Sequence, residues 1–149
     1  MSLGVMKTHL MTETLSADRI LVWDKCHNGM GNLNDWGIGY EYIFLFKKGS
    51  PRIRGDRVNG VISYKHIGYF EKTVHPTQKP TGLIKLIILK SIGKEEGIVL
   101  DPFMGSGTTA VACKQLNKDL IGFEINRAYV NIANRRLSMQ PESLEKWIS

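Results

Sequence analysis

The stretch "LDPFMGSGTTAVACKQLNKDLIGFEIN", Leu100–Asn126, decides the fold. It closes an apolar strand, crosses a turn containing two glycines, continues as a helix and ends in a second apolar strand that finishes on an acid. Glycines allow a backbone to approach a ligand closely, and the helix that follows begins beside that ligand. An acid at the end of the second strand is placed to accept hydrogen bonds from vicinal ribose hydroxyls. The layout therefore suits a nucleotide-like molecule.

Working outward, "GIVLDPF" and "DLIGFEI" have the composition of buried strands, and "SGTTAVACKQLNK" that of a helix capped by Ser or Thr. Upstream, "HPTQKP" leads into "TGLIKLIILKSIG", with Leu83, Ile84, Ile87, Ile88 and Ile92 at helical spacing, Pro80 at the start and Gly93 at the end. Downstream, "NRAYVNIANRRL" is an amphipathic helix with Asn126 as its N-cap and Tyr129, Ile132, Ala133 and Leu137 facing inward. The order helix–strand–helix–strand–helix predicts a parallel α/β sheet.

Before residue 75 the pattern is weaker. "RILVWDK" (Arg19–Lys25) and the aromatic, β-branched "YEYIFLFKKG" predict two strands flanking a loop rich in Gly and Asn. Residues 5–18 suggest a helix. Residues 50–73 predict a mobile surface connection with one short strand, "GVISYK".

At 149 residues and 42% hydrophobic, the chain has the size of one domain with a real core. No apolar run reaches membrane-spanning length and the start lacks a signal-peptide pattern, so a cytoplasmic location is expected. Residues 1–4 are set aside as a tag remnant. Cys26 and Cys113 have no metal-ligand spacing and are expected as small core residues. The net charge of +6 is spread evenly: each side of the Val74–His75 bond carries ten Lys/Arg and seven Asp/Glu. A local concentration remains in "KKGSPRIRGDR", which fits a polyanion partner or a solvated loop.

Two ligands compete for the turn. "GSGTTA" satisfies the dinucleotide fingerprint, with Glu124 at the ribose position, so a nicotinamide cofactor has to be considered. Against it, "DPFM" puts the Asp101 carboxylate at the strand end, close to where a pyrophosphate would sit. That charge repels phosphate and suits an ammonium or sulfonium.

"DPFMGSGTT" and, upstream of it, "HPTQKP" resemble the two cofactor motifs of the amino-methyltransferases that methylate adenine N6 or cytosine N4 in DNA. Their order resembles the permuted, beta-type subgroup, and the resemblance covers most of residues 19–138. It implies a Rossmann-like fold dependent on S-adenosylmethionine: an α/β architecture with a mixed, mostly parallel sheet flanked by helices. The implied domain is residues 5–149, with a cofactor-binding half at 75–138.

The resemblance implies that Asp101, Phe103, Gly105 and Gly107 line the methionine and sulfonium end of the cofactor. Ser106, Thr108 and Thr109 would close the turn and cap the helix. Glu124 would hold the ribose, Ile125 the adenine ring, and Thr77, Gln78 and Lys79 the methionine carboxylate. His75 would either pack or cap. Arg52, Arg54 and Arg57 would neutralise phosphates of double-stranded DNA. Trp36 and Tyr40 are candidates to meet an extruded base, whereas Trp23 is expected in the core.

The family pattern breaks at one point. Members carry Asp, Asn or Ser followed by Pro-Pro and an aromatic residue, which orients the target amine; here five prolines occur and no two are adjacent. The fold is thus expected to be incomplete, lacking the catalytic strand, and no catalytic residue is assigned. The isolated chain is expected to transfer no methyl group and to self-associate or use a partner chain. A non-catalytic cofactor-binding scaffold is the alternative. Neither cysteine follows a proline, which disfavours C5-cytosine chemistry. The target base, recognition sequence and any paired endonuclease are not legible.

Overall fold

The computed structural model describes residues 17–27, 34, 36–65, 67, 72–73, 75, 77–93 and 97–140. The helix expected over residues 5–18 lies outside them apart from 17 and 18, which are not helical. Contacts group the chain into two compact units, Met1–Arg52 with Arg57–Lys65, and Ile53–Asp56 with His66–Ser149.

In the first unit, β1 (Arg19–Asp24) lies between β2 (Tyr40–Leu45) and β3 (Val61–Ser63). It runs antiparallel to β2, with Arg19 opposite Leu45 and Asp24 opposite Tyr40, and parallel to β3. Trp23 is the anchor: its side chain is 1% exposed and its indole N–H donates to the Tyr64 carbonyl at 2.7 Å, as a buried indole requires. Trp36 is almost fully exposed and Tyr40 partly so.

The second unit contains α1 (Thr81–Ile92), β4 (Ile98–Asp101), α2 (Thr108–Gln115), β5 (Asp119–Gly122) and α3 (Arg127–Ser138). The predicted order of helices and strands is the observed one. β4 and β5 are parallel, pairing Val99 with Leu120 and Leu100 with Ile121. Ile88 of α1 and Ala112 and Cys113 of α2 form the core, against which Ile84, Ile92, Val99, Leu116 and Leu120 pack. Asn126 caps α3 as expected, its side chain accepting from the Ala128 N–H at 2.9 Å.

Three expectations are corrected. β4 and β5 are half-buried rather than buried strands: Val99 and Leu120 face the helices, while Leu100 is 64% and Ile121 50% exposed. Alternation at period two sends these apolar side chains to the opposite face, where no described helix packs. Secondly, α2 has no Ser or Thr cap; its N-cap is Gly107 in the left-handed region (φ 78°, ψ 28°), with no side-chain cap bond. Thirdly, the connection after Ser50 is not wholly free. The Arg54 N–H donates to the Lys90 carbonyl at 3.0 Å, and the Lys90 ammonium donates to the Asp56 carbonyl. No helix among the described residues is long and apolar enough to cross a membrane.

Gly107 is fixed twice over. A Cβ there would lie 2.6 Å from the Ala133 methyl and 3.0 Å from its Cα, so α2 and α3 meet on a glycine–alanine contact. Gly107→Ala therefore adds overpacking, about 1–3 kcal/mol, to the left-handed penalty of roughly 1–2 kcal/mol. Gly55→Ala supplies the control, because Gly55 has a similar φ of +64° and meets only the flexible end of Lys90 at 3.5 Å. Urea unfolding should show Gly107→Ala as the more destabilised of the two by at least 1 kcal/mol, an estimate that rests on the overpacking term; equal losses would exclude the α2–α3 contact.

Candidate functional site

The glycine turn is built by its own backbone. The Met104 N–H donates to the Phe123 carbonyl at 2.9 Å, and the Gly107 N–H donates back to the Met104 carbonyl at 2.9 Å. The Gly105 N–H donates to the Glu124 carboxylate at 2.8 Å. Gly105 and Gly107 both have positive φ, 54° and 78°, which a side chain would resist. Strand β5 thus delivers Glu124 to the turn that follows β4, and the parallel pairing of Asp101 with Gly122 sets that register.

Beside this turn lies a cleft of about 240 Å³. Its walls bring together Thr77, Gln78, Lys79, Asp101, Phe103, Gly105, Ser106, Thr108 and Thr109, all assigned from sequence, with His75, Ile84 and Met104. The other three assigned residues lie around it. Glu124 joins through its bond to Gly105, Gly107 lies against Ala133, and Ile125 is fully exposed. The cleft is smaller than the roughly 300–1,000 Å³ usual for small-molecule sites. Phe103 and Ile125, both exposed apolar side chains, extend the available surface beyond it.

Individual groups are already engaged. Glu124 accepts from Gly105 through one oxygen and from the Asn126 N–H at 2.7 Å through the other. Each oxygen retains a further lone pair for a hydroxyl. These backbone donors, Asn126 first and Gly105 second, hold its carboxyl below the usual glutamate range. Asp101 accepts from the Phe103 N–H at 3.1 Å. Gln78 is buried, and its amide oxygen accepts from both the Thr73 N–H and hydroxyl, at 2.9 and 2.6 Å. It therefore shapes the wall through Thr73. The Lys79 carbonyl accepts from the Thr108 hydroxyl at 3.3 Å, which ties the upstream motif to the turn.

His75 packs. Its ring lies edge-on to Tyr129 at 4.4 Å, and its Nε2 stands 2.9 Å from where a Gly105 Cβ would be. Its Nδ1 is buried without a hydrogen-bond partner. Cys113 is a core residue, as expected; burial pushes its thiol up, and the Asp101 charge adds to this. Cys26 is exposed, contrary to the expectation of a core residue, because it follows β1 in a turn where its N–H donates to the Asp24 carboxylate. Arg52, Arg54 and Arg57 are exposed, and the aliphatic stem of Arg54 lies over Gly93. No cluster of His, Cys, Asp or Glu among the described residues has the makings of a metal site.

Sequence reasoning missed Arg136. It lies on α3, and its guanidinium reaches the back of the glycine turn, where Nη1 donates to the Ser106 carbonyl at 2.9 Å. Its position on a predicted helix carried no signal of that reach. A second cleft of about 630 Å³, lined by Lys72, Gln115, Arg135, Arg136 and their neighbours, contains none of the residues of the two motifs.

The family model for DNA methylases of the N6 and N4 type matches residues 9–135. The chain belongs to this DNA methylase family. It is 36% identical over 129 residues to the type II methyltransferase M.HpaI of Haemophilus parainfluenzae, covering 85% of this chain and 34% of that protein. Against the type II methyltransferase M.HindIII of Haemophilus influenzae it is 51% identical over 70 residues, 47% of this chain and 22% of that protein. The chain thus spans about a third or less of these relatives. Among solved structures, the M1.HpyAVI–SAM complex superposes with a TM-score of 0.69 at 29% identity, covering 93% of this chain and 72% of that one. The cytosine-N4-specific PvuII DNA methyltransferase, at 16% identity and a TM-score of 0.68, shares the fold. The fold is therefore the α/β fold of S-adenosylmethionine-dependent methyltransferases, present in part.

The sign of the Glu124 shift gives a direct test. Its value is lowered on folding, so its hold on the turn is complete above the ordinary glutamate range and is lost as pH falls through the lowered value. An NMR titration of the Glu124 side-chain carbon should give a midpoint below about 4.3, that of an unperturbed glutamate. A midpoint at or above it would mean that the two backbone donors do not grip the carboxylate.

Proposed function

We propose that this chain is the cofactor-binding part of a DNA amino-methyltransferase, taking S-adenosylmethionine and serving methyl transfer to an exocyclic amine of adenine or cytosine. One observation carries the reading: two separate motifs, Thr77–Lys79 and Asp101–Thr109, line a single cleft with Glu124 bonded to its turn. When bound, S-adenosylmethionine supplies an electrophilic methyl group on a sulfonium. The chain's own residues do the rest. The Asp101 carboxylate offers negative charge toward the cationic end, and Lys79 a positive charge for a carboxylate. Glu124 retains acceptor capacity for two ribose hydroxyls. Ile125 is a bare apolar surface that an adenine ring would cover, and Phe103 one for the methionine and sulfonium end.

Membership of the methylase family, with the M1.HpyAVI–SAM complex as a structural neighbour, favours this cofactor over a nicotinamide dinucleotide. Double-stranded DNA would be the substrate, and Arg52, Arg54 and Arg57 are the cations assigned to its phosphates, which makes binding fall with salt. A second reading is favoured by the absence of any Pro-Pro pair in the sequence: the chain binds the cofactor and a partner chain completes the catalysis. The exposed apolar face of β4 and β5 gives such association a physical basis.

Calorimetric titration with S-adenosylhomocysteine should give saturable binding, and NAD none; the reverse result would replace the proposal. Glu124→Ala removes the carboxylate oxygens offered to the ribose hydroxyls, so affinity should fall at least tenfold. Transfer of tritiated methyl from the cofactor to duplex DNA by the chain alone should stay at background. On size exclusion, the 16.8 kDa chain should elute as an oligomer, and a monodisperse monomer would argue against association through the bare face.

A further inference from the structure

Four polar residues are buried among the described residues: Gln78, Thr81, Ser106 and Thr108. The Gln78 amide oxygen accepts from Thr73. The other three are all hydrogen-bonded to one side chain, Arg136. Its Nη1 donates to the Ser106 carbonyl at 2.9 Å, to the Ser106 hydroxyl at 3.3 Å and to the Thr108 hydroxyl at 3.1 Å. Its Nη2 donates to the Thr81 hydroxyl at 3.3 Å. One guanidinium on α3 thus joins the glycine turn to the first residues of both α1 and α2.

The donor and acceptor chemistry gives this contact a direction. A guanidinium only donates, so the Thr108 hydroxyl must accept from it, and the single hydroxyl proton is left to point elsewhere. It points to the Lys79 carbonyl, at 3.3 Å. Arg136 therefore orients Thr108, and Thr108 holds the backbone of the residue assigned to the cofactor's carboxylate. The Ser106–Gly107 peptide is fixed at both ends: its carbonyl by Arg136, and its N–H by the Met104 carbonyl. On the other side of the turn, the Met104–Gly105 peptide gives its N–H to Glu124.

We propose that Arg136 is a positioning residue for the cofactor, fixing the glycine turn from behind and coupling it through Thr108 to the Thr77–Lys79 wall. This rests on the reading that the cleft takes an S-adenosyl cofactor. Lysine is no substitute, because an ammonium on a flexible stem lacks the planar fork that spans Ser106 and Thr81. The second cleft exposes Arg136 to small molecules from outside the turn, which permits rescue by an added guanidinium.

The test uses the full chain with Arg136→Ala and Arg136→Lys, reading amide hydrogen exchange and S-adenosylhomocysteine affinity separately. Exchange at the Gly105 and Gly107 amides should accelerate at least tenfold while the middle of α1 keeps its protection. Affinity should fall at least tenfold in both variants, and millimolar methylguanidinium should restore it in Arg136→Ala. Unchanged turn amides, unchanged affinity, or uniform loss of protection through α1 would each overturn the proposal, the last by showing a general structural role. Should Arg136→Ala not fold, Thr108→Val removes the hydroxyl that links Arg136 to Lys79 and leaves the Arg136 bonds to Ser106 and Thr81; it should weaken binding while sparing the Gly105 amide, and full affinity would refute the coupling. If the unmodified chain fails to take S-adenosylhomocysteine, the cofactor reading falls, and the amide measurements alone decide whether Arg136 orders the turn.

Discussion

The 2.8 Å hydrogen bond from the Gly105 amide to the Glu124 carboxylate is the constraint on which the site depends. It joins the loop leaving β4 to the end of β5, which the parallel pairing has already brought level. Its partners are unequal. The acid also takes the Asn126 amide, so the group assigned to the ribose also marks the start of α3. A ligand hydroxyl arriving there meets a carboxylate held by two rigid backbone donors, with little orientational freedom left to lose. The Glu124 carboxylate is pre-ordered by the fold itself.

The turn carries its conformation at a cost that its surroundings meet. Two left-handed residues flank Ser106, and at each the missing side chain is also required by a neighbour, His75 at Gly105 and Ala133 at Gly107. Met104 shows the same close packing, with its sulfur lying where a side chain on Gly122 would be. Glycine thus serves in one place as conformational freedom and in another as plain absence of volume. These two uses are inseparable at Gly107, where both apply.

The elements legible from sequence were those specified locally. Helical spacing of Leu83, Ile84, Ile87, Ile88 and Ile92 gave α1, and Asn126 gave the start of α3. The cleft was legible because two motifs of distinctive composition named most of its wall in advance. What remained hidden depends on contacts distant in sequence. Ser106 looks like a helix cap, yet the left-handed Gly107 takes that position and the Ser106 hydroxyl accepts from α3, thirty residues on. Cys26 looks like a small core residue, but its place is set by an Asp24 turn at the end of β1. Gln78 lines the cleft, yet its amide oxygen turns back to Thr73, five residues before it. Polar residues near a site are the hardest to assign from sequence, since the same atoms serve equally well as scaffold.

The exposure of β4 and β5 follows from a different kind of information. Ile98, Val99 and Leu100 run apolar without alternation, as do Leu120 and Ile121, and continuous apolar strands belong to parallel sheets covered on both faces. In this chain the helices cover the face of Val99 and Leu120, and Ile98, Leu100, Ile121 and Phe123 face outward at half exposure or more. The sequence of the strands is therefore that of a two-sided sheet, while the described structure supplies one side. Leu and Ile at these solvent-facing positions make the outer face of the sheet an apolar surface. That agrees with a chain spanning about a third or less of its relatives. The cleft, by contrast, is lined wholly by residues of the second unit.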